Sequence, residues 1–217
     1  MKIFIDLCAG LGGASQAFME DPAWLVIRID NNEELKPLCP GLNVADVTDV
    51  DATLDLIEAV CQIHGTSLQT CDKLVVWASP PCDEFSLAYN AKQPTAARNG
   101  EEYEPDMSIM LACRDIIRNL LPDHWYIENV RGSISWFTPY LGSYRQQLGS
   151  FFVWGDHPIV DFYDANLRKL RKVDIRHSDL RAQYRAKVHF EISQAIKDSI
   201  DKQMTLTSYG VGVEPGA

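Results

Sequence analysis

Three short stretches of the chain carry the residue types that chemistry needs. The first, DLCAGLGGASQAF from Asp6 to Phe18, places Gly10, Gly12 and Gly13 directly after an apolar run. Glycines at such a strand-to-helix turn leave no Cβ between the backbone amides and a ligand, so a nucleotide-like molecule fits there. About twenty residues on stands Asp30, a carboxylate suited to accepting both hydroxyls of a ribose. Asp46, after a further short apolar run, is suited to accept from an adenine amino group, and Asn31 and Val47 adjoin these two carboxylates. The second stretch is ASPPCDEFS, Ala78 to Ser86. Pro80 and Pro81 stiffen this loop and fix the direction of Cys82, the position of a nucleophile at the carboxyl edge of a sheet. The third, WYIENV from Trp125 to Val130, ends an apolar strand in Glu128 and Asn129. A carboxylate there is costly unless it is used or paired. Singly, these also read as a strand-end turn, a structural cysteine and a paired acid; their conjunction at one sheet edge is what points to catalysis.

The elements that must position them follow from periodicity. Short apolar, β-branched runs alternate with helical patterns over the first 155 residues, the signature of βαβ units. Strands are predicted at Lys2 to Asp6, Trp24 to Ile29, Leu42 to Ala45, Lys73 to Ala78, Trp125 to Glu128 and Phe151 to Trp154. A helix is predicted over Asp51 to His64, with Leu54, Ile57, Val60 and Cys61 on one face, Asp51 as N-cap and Gly65 just past the end. Met107 to Leu121 repeats the pattern and is stopped by Pro122; a last amphipathic helix spans about Glu191 to Lys202. The expected fold class is α/β, a Rossmann-like and mostly parallel central sheet with helices on both faces.

Composition sets the limits. The 217 residues suffice for one ordinary domain, and 46% hydrophobic with 23% charged residues is a globular balance. No apolar run approaches the ~18 residues that span a bilayer, and MKIFID opens like a strand, so a cytoplasmic protein without membrane contact is expected. Cys8, Cys39, Cys61, Cys71, Cys82 and Cys113 include no CxxC pair and the five histidines are scattered, so reduced thiols and no metal are expected. The net charge is −10, yet residues 165 to 187 hold Arg168, Lys169, Arg171, Lys172, Arg176, Arg181, Arg185 and Lys187 against Asp174 and Asp179 alone. That local excess of +6 reads either as a basic contact surface on a repelling body or as a solvated helix face.

DLCAGLGG, SPPCDEFS and ENV, in this order and at these separations, resemble the first, fourth and sixth conserved blocks of the cytosine 5-methyltransferases, and the final stretch RAKVHFEISQAIKDSI, Arg185 to Ile200, resembles the last block of compact, often virus-encoded members such as those of bacteriophages. The resemblance covers roughly residues 1 to 155 plus the last helix. It implies a class I methyltransferase fold that binds S-adenosylmethionine through Asp6, Cys8, Ala9, Gly10, Leu11, Gly12, Gly13, Asp30, Asn31, Asp46, Val47 and Pro80. It implies that Cys82 adds to carbon 6 of a flipped-out cytosine in duplex DNA while Glu128, protonated near ring nitrogen 3, holds the base edge. The thiol must then ionise more readily than a free one, helped by the positive end of a following helix or by Arg145. Ser86, Arg168, Lys169, Arg171, Lys172 and Arg176 are the expected DNA contacts. The implied organisation is a catalytic domain at 1–155 and a basic, reduced target-recognition segment at 156–187. A helix at 188–204 would pack back on the catalytic domain, followed by a flexible tail at 205–217.

The chain departs from the family pattern in four places. Asp83 stands where glutamine is usual, and Asp30 is the sole candidate carboxylate at the second strand. No Gln-x-Arg-x-Arg block is recognisable; YRQQLGSFFVWG, Tyr144 to Gly155, occupies its place, with Arg145 as a substitute. Only about His157 to Lys187 is available where full members carry a target-recognition region, so short or relaxed sequence specificity is expected. Two other readings stay open: a non-catalytic S-adenosylmethionine or nucleic-acid binder, and a methyltransferase acting on transfer RNA or a free nucleotide. The sequence leaves the oligomeric state undetermined.

Overall fold

The computed structural model describes residues 1–162, 184 and 186–208, with side chains to 203. In chain order its elements are β1 (Lys2–Leu7), α1 (Gln16–Met19), β2 (Trp24–Asp30), β3 (Leu42–Val44), α2 (Val50–Ile63), β4 (Lys73–Ala78), α3 (Lys92–Asn99), α4 (Ser108–Leu120), β5 (His124–Asn129), α5 (Ile134–Leu141), β6 (Gln146–Leu148), β7 (Phe151–Trp154) and α6 (Phe190–Ser208). Seven strands form one sheet in the order β3-β2-β1-β4-β5-β7-β6. The first five run parallel, and β7 inserts antiparallel between β5 and β6. This is the Rossmann-like α/β fold expected from the alternation of strands and helices.

The apolar strands read as continuous runs because both faces of the sheet are covered. On one face Ile3, Ile5, Leu7, Ile27, Ile29, Val76 and Ile127 pack against Ile57 and Cys61 of α2, Met110, Cys113 and Ile116 of α4, and Phe137 of α5. On the other, Phe4, Val75, Trp77, Tyr126 and Val153 meet Phe18 of α1 and the α6 stripe of Ile192, Ile196 and Ile200. That stripe, repeating every four residues, keeps α6 flat on the sheet.

Several local expectations change. The helix after the glycine turn is only one turn long, because the turn runs on to Ser15 and the Asp21-Pro22 pair follows the C-cap Glu20 closely. The N-cap of α2 is Asp49, which accepts from the Ala52 N–H at 3.1 Å, and Asp51 lies inside the helix. No helix directly follows Cys82: residues 83–85 form a turn and α3 begins only at Lys92. The sequence pattern also misses α3, α5 and β6. The first two contain Pro94 and Pro139, and β6 has three residues with only Leu148 buried.

Candidate active site

The strand order changes direction at one place. From β1 the chain steps outward to β2 and β3, then crosses back to β4 on the other side of β1. Loops leaving the carboxyl ends of β1 and β4 therefore part at this edge, the place where open α/β sheets usually bind ligands. The glycine-rich turn leaves β1 and the proline-stiffened thiol loop leaves β4. The Ser79 N–H donates to the Leu7 carbonyl at 3.0 Å, so the two strands remain joined up to the point where their loops part.

The glycine turn is tied down from two sides. The Gly10 N–H donates to Asp30 Oδ2 at 2.9 Å, and Asp30 Oδ1 accepts from the Asn32 N–H at 3.0 Å. Asp30 thus fixes the turn as well as ending β2. Asp6 is 1% exposed and accepts from the Ser15 hydroxyl at 2.6 Å; burial pushes its carboxyl up to about 7 against the pull of Ser15 and Arg28. From the α6 side, the Ser193 hydroxyl donates to the Ala14 carbonyl at 2.6 Å and accepts from the Ala17 N–H at 3.0 Å. Leu11 is buried against Leu35, Cys39 and Leu42, and Gly13 is packed beneath the Val188 carbonyl. Cys8, Ala9 and Gly10 are the half-buried part of the turn, and a Cβ added at Gly10 would meet nothing within 4 Å. Cys8 takes a left-handed φ of 55°, and its Sγ lies 3.9 Å from that of Cys113. The Cys113 contact and burial hold the Cys8 thiol well above its ordinary pKa.

The thiol loop is joined to the carboxylic acid's strand. Asn129, buried at the end of β5, donates through Nδ2 to the Pro80 carbonyl at 2.9 Å, and its Oδ1 accepts from the Val130 N–H at 2.9 Å. Gly132 lies so close to Phe85 that a Cβ there would run into the Phe85 carbonyl. The half-buried Cys82 is therefore carried on a loop held at both ends of SPPCDEF by residues of ENVRG. Glu128 is 6% exposed, and burial pushes its carboxyl up to about 8, with a Ser79 hydroxyl contact pulling down. Trp77 Nε1 donates to Ser79 Oγ at 2.7 Å, which leaves the hydroxyl proton of Ser79 for Glu128. A carboxyl with this pKa keeps its proton at neutral pH and is able to donate a hydrogen bond.

With this geometry in view, the comparisons decide the family. The family described as C-5 cytosine-specific DNA methylase matches residues 2–136, well over half of the chain. The chain belongs to that family. The chain is 25% identical over 138 residues to the Type II methyltransferase M.AquIA of Picosynechococcus sp., a match that covers 62% of this chain and 51% of that protein. It thus spans about half the length of the curated relative. Among solved structures, the methyltransferase EhMeth of Entamoeba histolytica aligns at 21% identity and a TM-score of 0.39, over 61% of this chain and 39% of that one. A protein described as a DNA modification methyltransferase encoded within a prophage (E. coli) aligns at 19% identity and a TM-score of 0.37, over 67% and 39%.

The remaining candidate residues are distributed unevenly. Asp46 is exposed at the end of β3, where its Oδ1 accepts from the Thr48 N–H and hydroxyl at 2.9 and 2.7 Å; those bonds hold its carboxyl below the usual range. Val47 beside it is buried, and Asn31 is exposed after β2. Asp83 pairs with Lys92 at 3.4 Å, and Glu84 pairs with the same lysine and accepts from the Tyr103 hydroxyl at 2.6 Å. Lys92 thus compensates both acids next to the thiol. Ser86 Oγ accepts from the Ala88 N–H at 3.3 Å. Arg145 is exposed, its N–H donating to the Val153 carbonyl at 2.7 Å; burial drives His157 down to about 4, and the Arg145 charge adds to that shift. Arg168, Lys169, Arg171, Lys172 and Arg176 lie outside the described residues. Among those described, no helix is long and apolar enough to cross a membrane, and no cluster of three or more His, Cys, Asp or Glu is placed to hold a metal. Ser79, Arg28 and Ser193 are structural partners of the site that sequence reasoning passed over, and Asn129, noted beside Glu128 in the sequence, reveals its bond to Pro80 only here.

Proposed function

We propose that this chain carries the catalytic machinery of a DNA cytosine methylase that transfers the methyl group of S-adenosylmethionine to carbon 5 of a flipped-out cytosine through a covalent adduct on Cys82. The observation that carries the reading is the Asn129 to Pro80 hydrogen bond. It ties a stiff thiol loop to a strand whose buried acid favours its protonated form. The glycine turn fits the donor, because Gly10 leaves open space beside Asp30 where a side chain would otherwise stand. The Cys8 to Gly13 turn with Asp6 beneath it, Asp30 and Asn31, Asp46 and Val47, and Pro80 would hold that molecule. When bound, it supplies an activated methyl group.

The residues then have defined tasks. Carbon 5 of cytosine is too poor in electrons to attack a sulfonium unaided. The Cys82 thiolate forms a bond to carbon 6, and the electron pair of the 5,6 double bond becomes available at carbon 5. Glu128 gives its proton to ring nitrogen 3 as negative charge builds there. After carbon 5 has taken the methyl group, a base removes its remaining hydrogen as a proton. The double bond re-forms, the thiolate leaves and Glu128 recovers its proton. Extruding the base costs a few kcal/mol (order of magnitude), offset by contacts in the pocket. The basic segment within 156–187 would contact DNA phosphates, with Ser86 at the thiol loop, and Arg145 would stand in for the missing arginine block.

Incubation of the purified chain with methyl-labelled S-adenosylmethionine and DNA, RNA or dCMP tests the proposal. Label at carbon 5 of DNA cytosine is the expected result. Label confined to RNA or dCMP would move the substrate. Tight donor binding without transfer to any of them would leave a non-catalytic binder and refute the catalytic reading.

A further inference from the structure

Arg28 follows the apolar run WLVI inside β2, two residues before Asp30, and is only 5% exposed. Its register partner on β1 is Asp6, on the sheet face covered by α1 and α6. None of the ion pairs found among the described residues involves it. Its guanidinium donates instead to three neutral oxygens: Nε to Ser15 Oγ at 2.8 Å, Nη1 to the Pro40 carbonyl at 3.0 Å and Nη2 to the Gly12 carbonyl at 3.1 Å. Ser15 relays the contact to Asp6, so the buried cation and the buried acid are joined through one hydroxyl. Two of the three acceptors belong to the glycine turn, and the third belongs to the connection between β2 and β3. The same two segments meet again through Leu11 against Leu35, Cys39 and Leu42. Gly12 is what lets the guanidinium in: a Cβ there would lie 2.6 Å from the Arg28 Cζ, and its φ is +65°.

A buried guanidinium is expensive to desolvate, and an apolar side chain would fill this space more cheaply. What arginine adds is a rigid fork that reaches several acceptors at fixed angles. We infer that Arg28 is a positioning residue for the methyl-donor site, clamping the glycine turn and the β2–β3 connection into one unit before the donor arrives. The inference rests on the donor assignment made above. Asp6 senses the clamp, because Ser15 and the Arg28 charge both oppose its burial; Asp30, Cys8 and Cys39 are the other titratable groups within reach.

Arg28→Gln and Arg28→Lys in the full chain test this. In the free protein, amide exchange should rise together in residues 9–15 and 36–42. The dissociation constant for S-adenosylhomocysteine should rise roughly 10- to 100-fold for Gln and less for Lys, which loses the fork but keeps the charge beside Asp6. At saturating donor, kcat should stay within about threefold, because the clamp touches no reacting atom. Gly12→Ala should weaken donor binding in the wild type and do so less on the Arg28→Gln background, where the obstructing fork is gone. A folded variant that binds within about twofold of wild type, or that loosens only one of the two segments, overturns the inference. Should the wild-type chain bind no S-adenosylhomocysteine, the donor assignment falls and the inference with it.

Discussion

Glu128→Gln separates a buried, proton-holding acid from an ordinary carboxylate. Folding raises this carboxyl from 4.5 to about 8, because burial disfavours its charge more than the Ser79 contact supports it. The folded chain therefore keeps a proton that the unfolded chain releases above pH 4.5. Stability must fall as pH rises through that interval and level off above about 8. At pH 6 the loss has reached only about 2 kcal/mol; by pH 9 it approaches about 5, a difference of about 3 kcal/mol. For a chain of this size each kcal/mol moves Tm by about 2–4 °C, so Glu128 should account for about 6–12 °C of the drop in Tm between pH 6 and pH 9. The amide of Gln has no such proton. Melting wild type and variant at both pH values reads the difference directly, because the raised Asp6 carboxyl contributes equally to both proteins. In wild type, kcat should decline as pH rises through about 8, and the variant should lose roughly 10²-fold or more in rate. Equal pH dependence of Tm in the two proteins would refute the reasoning.

Asn129→Ala removes the bond to Pro80 and leaves that carbonyl without its partner, so stability should fall by about 1–3 kcal/mol in denaturant titration. Methyl transfer should fall more than donor affinity, because the thiol loop is the part set loose. Ser193→Ala deletes both bonds between α6 and the Ala14 to Ala17 backbone, and a loss of about 1–3 kcal/mol with weaker donor binding is expected by the same assays. Replacing Arg168, Lys169, Arg171 and Lys172 together by alanine should flatten the salt dependence of DNA binding by about 0.9 in log-log slope for each phosphate that is no longer neutralised, with donor affinity unchanged. An unaltered slope would remove the basic segment from the DNA interface.

Much of this fold can be read from the sequence because a doubly covered parallel sheet writes itself as uninterrupted apolar strands. KLVVWA and WYIEN could hardly be anything else. The short elements were hidden for physical reasons. QQL pairs with β7 at the sheet edge, where only Leu148 is buried, and ISWFTPYL forms a helix in spite of Pro139, anchored by Phe137. Cys82 and Glu128 stand out by residue type at a sheet edge. The groups that orient the site do not: Asn129 and Ser193 are small polar residues whose partners lie tens of positions away or more, and Ser79 bonds the indole of Trp77 two residues before it, a contact that residue type does not announce. Arg28 did leave a signal, a lone cation after an apolar run, although its partners at Gly12 and Pro40 emerge only in three dimensions. Asp30 reads from sequence as a ribose ligand; its grip on the Gly10 amide is visible only in the structure.

The claim on which the mechanism stands is that the Cys82 sulfur bonds to a pyrimidine ring. DNA carrying 5-fluorocytosine offers a carbon 5 that cannot lose a proton after methylation, so an enzyme of this mechanism stays attached. Wild-type chain with S-adenosylmethionine should give a denaturation-resistant protein–DNA adduct whose peptide mass maps to Cys82, and Cys82→Ser should give none while still binding S-adenosylhomocysteine. An adduct formed by Cys82→Ser, or methylation of ordinary cytosine by wild type without any trapped complex, would contradict the account.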